Sequence, residues 1–189
     1  MAHKFDPDNR GKLDNKERRK KLPPRQLLEN SGLKQGELMV DIGCGIGYFT
    51  FPAAKIVGEE GMVYALDTEE VMLKEVEERK SNKGYDNIIT VQSGEYGLDL
   101  DIKADFILFS NLLHEVEDRE KILESYLSLL KKGGRVGIIE WQKKSTEGGP
   151  PLKVRISMKK CSTLLKTSGL EIFKKDKINS RQYFILASK

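Results

Sequence analysis

Apolar residues along the chain fall into short, nearly continuous runs: Leu38–Ile42, Met62–Leu66, Ile88–Val91, Phe106–Phe109 and Val136–Ile139. A strand covered on both faces carries such a run, whereas a half-exposed strand alternates, so these five read as strands of a parallel sheet. Amphipathic segments separate them. In Glu69–Lys80, Met72, Leu73 and Val76 share one face, and Glu70 with Lys74 and Glu75 with Arg79 stand at i,i+4 spacing on the other. Ile122, Leu123, Tyr126, Leu127, Leu129 and Leu130 form an apolar stripe of helical period. Lys131-Lys132-Gly133-Gly134 is expected to end that helix, with cations for its dipole and a glycine for its cap. Pro23-Pro24 opens a further helix over Arg25–Asn30 that Ser31-Gly32 stops. Strand and helix in repeated alternation predict an α/β sheet with right-handed crossovers. The end of the chain departs from this pattern. A helix over residues 156–168 leads to Leu170–Lys174 and then Tyr183–Ala187, and the short gap holding Asn179-Ser180 predicts an antiparallel pair at one edge. The first 22 residues are polar and show no periodicity.

At 189 residues the chain is the size of one domain, which we expect to run from 1 to 189, with residues 1–24 as its N-terminal segment. With 38% apolar and 33% charged residues, the chain has enough of both for a packed core and a solvated surface. No run approaches the roughly 20 apolar residues of a membrane span. The N-terminus, Met1-Ala2-His3-Lys4-Phe5-Asp6-Pro7, is too polar for a secretory signal. Cys44 and Cys161 are the only cysteines, which excludes a disulfide framework or a four-cysteine metal site and fits a cytoplasmic location. No metal site is expected. The net charge of +4 is too small to imply a nucleic-acid partner, although Lys16–Lys21, Lys143-Lys144 and Lys159-Lys160 are locally basic.

The stretch Val40-Asp41-Ile42-Gly43-Cys44-Gly45-Ile46-Gly47-Tyr48-Phe49 follows the first strand and opens a helix. Glycines at alternate positions allow a tight turn and a close approach of backbone to ligand. The spacing is G-x-G-x-G, not the G-x-G-x-x-G of dinucleotide sites that set a pyrophosphate on a helix N-terminus. Asp41, two residues before the first glycine, would repel a pyrophosphate but suits the ammonium of an amino acid. Asp67 ends the second run, 20 residues after Gly47, where a carboxylate can accept both ribose hydroxyls. Its alternative reading is an acid favouring the helix dipole in Asp67-Thr68-Glu69-Glu70. A ligand with a cationic amino-acid end and a nucleoside end fits this pair of carboxylates.

Through these residues the chain resembles the class I S-adenosylmethionine-dependent methyltransferases, and within them the small branch around the quinone-biosynthesis and arsenite-type enzymes. Asp41–Gly47 matches the family's first motif, Asp67 its ribose-binding acid, and Lys131-Lys132-Gly133-Gly134-Arg135-Val136 its lead into the fifth strand. The resemblance runs from about Gly32 to Trp141. It implies a Rossmann-like doubly wound sheet of order 3-2-1-4-5-7-6 with strand 7 antiparallel and helices on both faces. It also implies S-adenosylmethionine as cofactor and S-adenosylhomocysteine as product. The residues so placed at the cofactor are Asp41, Gly43, Cys44, Gly45, Gly47, Phe49, Asp67, Thr68, Ser93, Gly94, Glu95 and Ser110. Two stretches depart from the family. Gln92-Ser93-Gly94-Glu95 replaces Gly-Asp-Ala, leaving either Ser93 or Glu95 for the adenine. Ser110-Asn111-Leu112-Leu113-His114-Glu115 lacks the Pro-Pro-aromatic clamp of enzymes that methylate exocyclic amines of bases.

Methyl transfer from a sulfonium is an in-line displacement for which positioning can suffice, so a general base is needed only for some acceptors. His114, just past the fourth strand, is the candidate base, with a packing or capping histidine as the alternative. Asn111 is the candidate for orienting substrate or donor, Glu140 points toward the same rim, and Trp141 is a candidate wall of an acceptor pocket, with core packing as the alternative. Cys44 reads as a small residue in the loop and Cys161 as core packing; with no other cysteine, arsenite methylation is disfavoured. The resemblance implies that residues 1–24 fold over the site as a lid, with the basic run Lys16–Lys21 at its rim; a solvated tail is the alternative, and the loop Gly148-Gly149-Pro150-Pro151 is a second candidate rim element. The expected activity is methyl transfer to a small-molecule acceptor. An RNA or protein methyltransferase docking through its basic segments, and a donor-binding protein without catalysis, are the alternatives. The sequence leaves the oligomeric state open.

Overall fold

The computed structural model describes residues 6, 11, 13–97 and 100–189. Strands β1 (Leu38–Ile42), β2 (Met62–Asp67), β3 (Ile88–Gln92), β4 (Ala104–Ser110), β5 (Leu130–Trp141), β6 (Glu171–Lys177) and β7 (Gln182–Ser188) form one sheet in the order β3-β2-β1-β4-β5-β7-β6. The first five pair in parallel, and β7 lies antiparallel between β5 and β6. The helices are α1 (Lys16–Lys21), α2 (Pro24–Asn30), α3 (Thr50–Val57), α4 (Glu70–Lys83), α5 (Arg119–Leu127) and α6 (Met158–Thr167). Order and strand directions are those the resemblance implies.

The nearly continuous apolar runs have the cause inferred for them. Along β4, Phe106 and Leu108 join a core with α2, α3 and α4, while Ile107 and Phe109 join another with α5 and α6. Strand β7 divides in the same way, Phe184 and Leu186 to one side and Tyr183, Ile185 and Ala187 to the other. Successive side chains of a strand point to opposite faces, so two covered faces require every position to be apolar. The Asn179 turn joining β6 to β7 is also as expected: its Oδ1 accepts from the backbone N–H groups of Arg181 (2.7 Å) and Gln182 (2.9 Å).

The helix expected to run into Lys131-Lys132-Gly133-Gly134 ends earlier. α5 stops at Leu127, with Ser128 as its cap, and β5 has begun by Leu130. Strand pairing captures the segment. Leu130 pairs with Ala104 and Arg135 with Phe106, so residues 131–134 bulge between them. Gly133 N–H donates to the Lys189 carbonyl, and Lys189 N–H to that of Gly134, each at 3.1 Å. The dipole argument holds with other cations: Lys103 and Lys189 ammonium groups reach the Ser128 and Leu127 carbonyls, each at 3.0 Å.

Helix α1, in the stretch without periodicity, buries no residue and so has no apolar face to detect. Asn15 caps it, its Oδ1 accepting from Arg18 N–H at 2.9 Å. The pair Glu70–Lys74 forms on α4 at 2.9 Å. Arg79 instead reaches across to the Ile46 carbonyl and to Asp14 (3.3 Å).

One polar clamp joins the two ends of the fold's first half. Arg135 of β5 donates to both Glu37 oxygens, each at 2.6 Å, and to the carbonyls of Ser31 and Gly32 at the end of α2. Both side chains are four-fifths buried. Replacing Arg135 by Met strands a carboxylate and two carbonyls, and we expect a loss of about 2–3 kcal/mol in urea denaturation. A loss below about 0.5 kcal/mol would mean the clamp acts as an ordinary surface pair.

Candidate active site

The parallel strands all end at one edge of the sheet, and a cavity of about 670 Å³ opens there. That volume lies within the roughly 300–1,000 Å³ of small-molecule sites. Each strand end contributes to it: Asp41 and Ile42 from β1, Asp67 from β2, Ser93–Glu95 after β3, Ser110 and Asn111 from β4, Trp141 from β5. Because β7 is antiparallel, its first residue, Gln182, also stands at this edge.

The loop from β1 to α3 forms the near wall. Gly43, Gly45 and Gly47 take φ of 66°, 54° and 80°, a region that L side chains rarely adopt. Gly43, Cys44, Gly45 and Phe49 line the cavity. Gly47, expected beside them, does not. A Cβ there would stand 2.7 Å from a Phe51 ring carbon and 3.4 Å from Val76, so that glycine lets the loop close onto α3 and α4. Cys44 is buried, and desolvation drives its thiol well above the usual range. Beneath the loop Asp41 is 2% exposed, and its Oδ2 accepts from the Thr50 hydroxyl at 2.7 Å. Burial, aided by the Asp67 charge and opposed by the Thr50 hydrogen bonds, raises its carboxyl to about 7.

Asp67 faces Asp41 across the loop. Its Oδ2 accepts from Gly45 N–H at 2.8 Å and its Oδ1 from Glu69 N–H at 3.0 Å. An ionised carboxylate has about four acceptor sites, so about two remain for hydroxyl donors. Burial lifts its pKa while those two backbone bonds pull it down, with a net rise. Thr68, Ser93, Gly94 and Glu95 continue this wall. Ser93 N–H donates to the Asp67 carbonyl (3.0 Å), and the Tyr126 hydroxyl to that of Gly94 (2.8 Å).

The opposite wall begins at Asn111, the one non-glycine among the described residues with positive φ, 55°. Asparagine tolerates that conformation better than most residues. Its N–H donates to the Ile139 carbonyl at 2.7 Å, and its Oδ1 accepts from Gln182 Nε2 at 2.8 Å. The turn brings His114 to the cavity. His114 Nδ1 donates to Glu140 Oε2 at 2.8 Å, and its backbone N–H bonds the other Glu140 oxygen at 3.2 Å. Glu140 is 0% exposed and also accepts from Trp141 N–H at 3.1 Å. Glu140 therefore does not reach the rim as expected: it lies behind His114. Nε2 of His114 stands 3.6 Å from Glu115 Oε1. Burial pulls the His114 pKa down, but Glu140, helped by Glu115 and opposed by Arg119, outweighs it, and the net shift is upward.

Trp141 lines the cavity together with Gly149 and Pro150 of the following loop. Arg155 holds that loop in place. It donates to the carbonyls of Pro150 (2.8 Å), Lys144 (2.9 Å) and Gly148 (3.1 Å), and its Cζ lies 5.2 Å from the Trp141 ring centre.

At the mouth lies α1, contributing Asn15, Glu17, Arg18 and Lys21. Tyr48 donates to the Leu22 carbonyl at 2.6 Å, and Asn179 to that of Lys21 at 2.8 Å. Of the segment 1–24, residues 1–5, 7–10 and 12 lie outside the described residues. Apart from Gly47 and Glu140, every residue anticipated at the cofactor or at the chemistry lines this one cavity. The sequence reading missed Tyr48, Gln182 and Arg181. Tyr48 lay inside the quoted motif, and the expected antiparallel last strand already implied that its first residues reach this edge.

A family model described as a methyltransferase domain matches residues 33–179. The chain is 33% identical over 129 residues to the ubiquinone/menaquinone biosynthesis C-methyltransferase UbiE of Marinomonas sp. (strain MWYL1), covering 67% of this chain and 51% of that protein. The UbiE of Escherichia coli O1:K1 is 34% identical over 125 residues, 65% of this chain and 50% of its own length. The chain thus spans about half the length of these curated relatives. A crystal structure of a SAM-dependent methyltransferase from Aquifex aeolicus is similar over 97% of this chain and 98% of that one, with a TM-score of 0.92 and 30% identity. The cavity at the strand ends, the glycine loop and these likenesses agree: the chain belongs to the methyltransferase-domain family, as a class I S-adenosylmethionine-dependent enzyme.

Proposed function

We propose that this enzyme methylates a small molecule held between the glycine loop and His114, with the segment 13–24 closing over the site of a single cytoplasmic domain. The cavity residues suit the donor. Asp41 is a buried carboxylate in need of a cation, and Asp67 keeps acceptor capacity for the ribose hydroxyls. Gly43, Cys44, Gly45 and Phe49 bring backbone close to the amino-acid end. Thr68, Ser93, Gly94 and Glu95 flank the adenosine, and Ser110 the sulfonium side. The bound cofactor supplies an electrophilic methyl group on sulfur.

The buried His114–Glu140 pair carries the proposal. Glu140 holds the proton on Nδ1, which leaves the Nε2 lone pair on the ring of a residue that lines the cavity. A base there serves an acceptor whose nucleophile is protonated at neutral pH: a hydroxyl, or a ring carbon made acidic by one. C-methylation, the activity named for the UbiE relatives, is of this second kind. Asn111 orients the acceptor beside it. Two of the N-terminal cations are held by acids, Arg19 by Asp14 (2.6 Å) and Lys21 by Glu17, which leaves less of that run for docking RNA. Both cysteines are free, as a reducing cytoplasm maintains them.

Three outcomes are expected. Labelled S-adenosylmethionine should transfer its methyl group to members of a panel of phenols and hydroxylated quinone precursors. The rate should rise with pH through the raised His114 pKa, because the neutral ring is the base. Glu140→Gln should move that limb to lower pH, and His114→Gln should cost about 10²–10⁴-fold. Tight donor binding with no transfer to any acceptor would favour a non-catalytic protein. In calorimetry, Asp67→Ala should weaken S-adenosylhomocysteine about ten- to hundredfold, the scale of a charged hydrogen bond; unchanged binding removes Asp67 from the donor. Asp41, raised to about 7, is largely protonated at pH 5–6. An ammonium partner favours its ionised form, so S-adenosylhomocysteine should bind more tightly as pH climbs toward 7, expelling a proton. Asp41→Asn should abolish that dependence, and a flat wild-type profile would exclude the pairing.

A further inference from the structure

The amino-acid end of the donor carries two charges, an ammonium and a carboxylate, and the reading above accounts only for the first. Among the described residues, three cationic side chains besides His114 line the cavity, Arg18, Lys21 and Arg181. Two of them already have carboxylate partners: Lys21 pairs with Glu17, and Arg181 with Glu147 at 3.3 Å. Arg18 has none among the described residues. Its Nη1 donates to the Leu13 carbonyl at 2.8 Å, and its Cζ lies 4.3 Å from the centre of the Tyr48 ring. Asp14, the neighbouring acid, is held by both Arg19 nitrogens, each at 2.6 Å, and by Arg79. Nε and Nη2 of Arg18 thus have no hydrogen-bond acceptor among the described residues. Burial depresses the Arg18 pKa, with Tyr48 and Asp14 only partly opposing it. A guanidinium without a carboxylate in a partly desolvated wall favours an anion, and its planar fork matches a carboxylate in particular.

The position of that fork narrows the choice of anion. Tyr48, on which it stacks, directly follows Gly47. Leu13, whose carbonyl anchors it, has a methyl carbon only 3.4 Å from where a Cβ on Gly45 would be. Arg18 therefore stands over the glycine loop, the wall that also holds Asp41, and not over the His114 wall. We infer that Arg18 binds the α-carboxylate of the donor's amino-acid end, and that this ion pair fastens α1 across the cavity mouth. The inference rests on the glycine loop being the donor site. The donor end then meets Asp41 with its ammonium and Arg18 with its carboxylate, one from the sheet and one from the segment above it, so donor binding and closure become one event.

Calorimetry of the full chain with two ligands tests this. S-Adenosylhomocysteine carries the amino-acid end, and 5′-methylthioadenosine lacks it. Arg18→Met should weaken S-adenosylhomocysteine about ten- to hundredfold and leave methylthioadenosine unchanged, while Arg18→Lys restores part of the loss. S-Adenosylhomocysteine, but not methylthioadenosine, should protect the Lys16–Lys21 run of the wild type from trypsin, and Arg18→Met should lose that protection. Equal affinity of wild type and Arg18→Met for S-adenosylhomocysteine overturns the inference. So does an equal loss for both ligands, which would make Arg18 a support for Tyr48 alone. If only the KM of a carboxylate-bearing acceptor rises, the carboxylate is the acceptor's and the donor assignment is wrong. Absence of S-adenosylhomocysteine binding in the wild type would instead refute the donor-site reading itself.

Discussion

The carboxylate of Asp67 ties together two turns on which the donor side of the cavity depends. One oxygen holds Gly45 in the glycine loop and the other holds Glu69 at the start of α4. Strand pairing fixes the carboxylate in turn, because Asp67 is the last residue of β2 and is paired with Gln92 of β3. The loop then adopts three positive-φ glycines, while its own Ile46, Tyr48 and Phe49 are buried and anchor it from below. Its geometry comes from the edge of a sheet whose faces are both filled, and interiors packed at that density deform little. A site built in this way inherits the rigidity of the core while leaving backbone N–H groups and carboxylates at the surface of a cavity.

The two walls are electrostatically unlike. On the glycine-loop side the Asp67 charge adds to burial in raising the proton affinity of Asp41, and a cation placed there would lower it again. On the other side a carboxylate is placed behind a histidine, three hydrogen bonds deep and wholly out of water. The first arrangement binds charge, whereas the second holds a ring in one orientation and makes it a stronger base. That division matches the needs of group transfer from a cationic donor to an acceptor that must lose a proton.

Much of this was legible in the chain, and the reasons are particular. β1 was readable to the residue because Leu38–Ile42 is apolar at every position but Asp41, as burial on both faces demands. Asp41, Asp67 and the glycines were readable because spacing along a strand–loop–helix unit fixes where they stand. α1 was not, since Lys-Glu-Arg-Arg-Lys-Lys has no apolar face and is held by Asn15 and by Tyr48, 30 residues away in sequence from Arg18. The end of α5 was misread because Lys131–Gly134 has the composition of a helix terminus, while its fate is decided by pairing with Lys189, which local composition does not encode. Gly47 and Glu140 show a subtler limit. Each sits where the motif puts it, but the direction it faces depends on Phe51 and His114, and spacing alone gives position without direction.

The reversed last strand has a practical side. Running antiparallel to β5, β7 carries the chain back down the sheet, and Lys189 ends against Gly133 and Gly134 at the edge farthest from the cavity. The other end of the described chain approaches through α1, against the mouth itself. A fluorescent reporter, affinity handle or surface tether fused after Lys189 would therefore project from the blind end of the molecule and leave the entrance clear, whereas the same fusion placed before α1 would crowd the doorway through which substrate must pass.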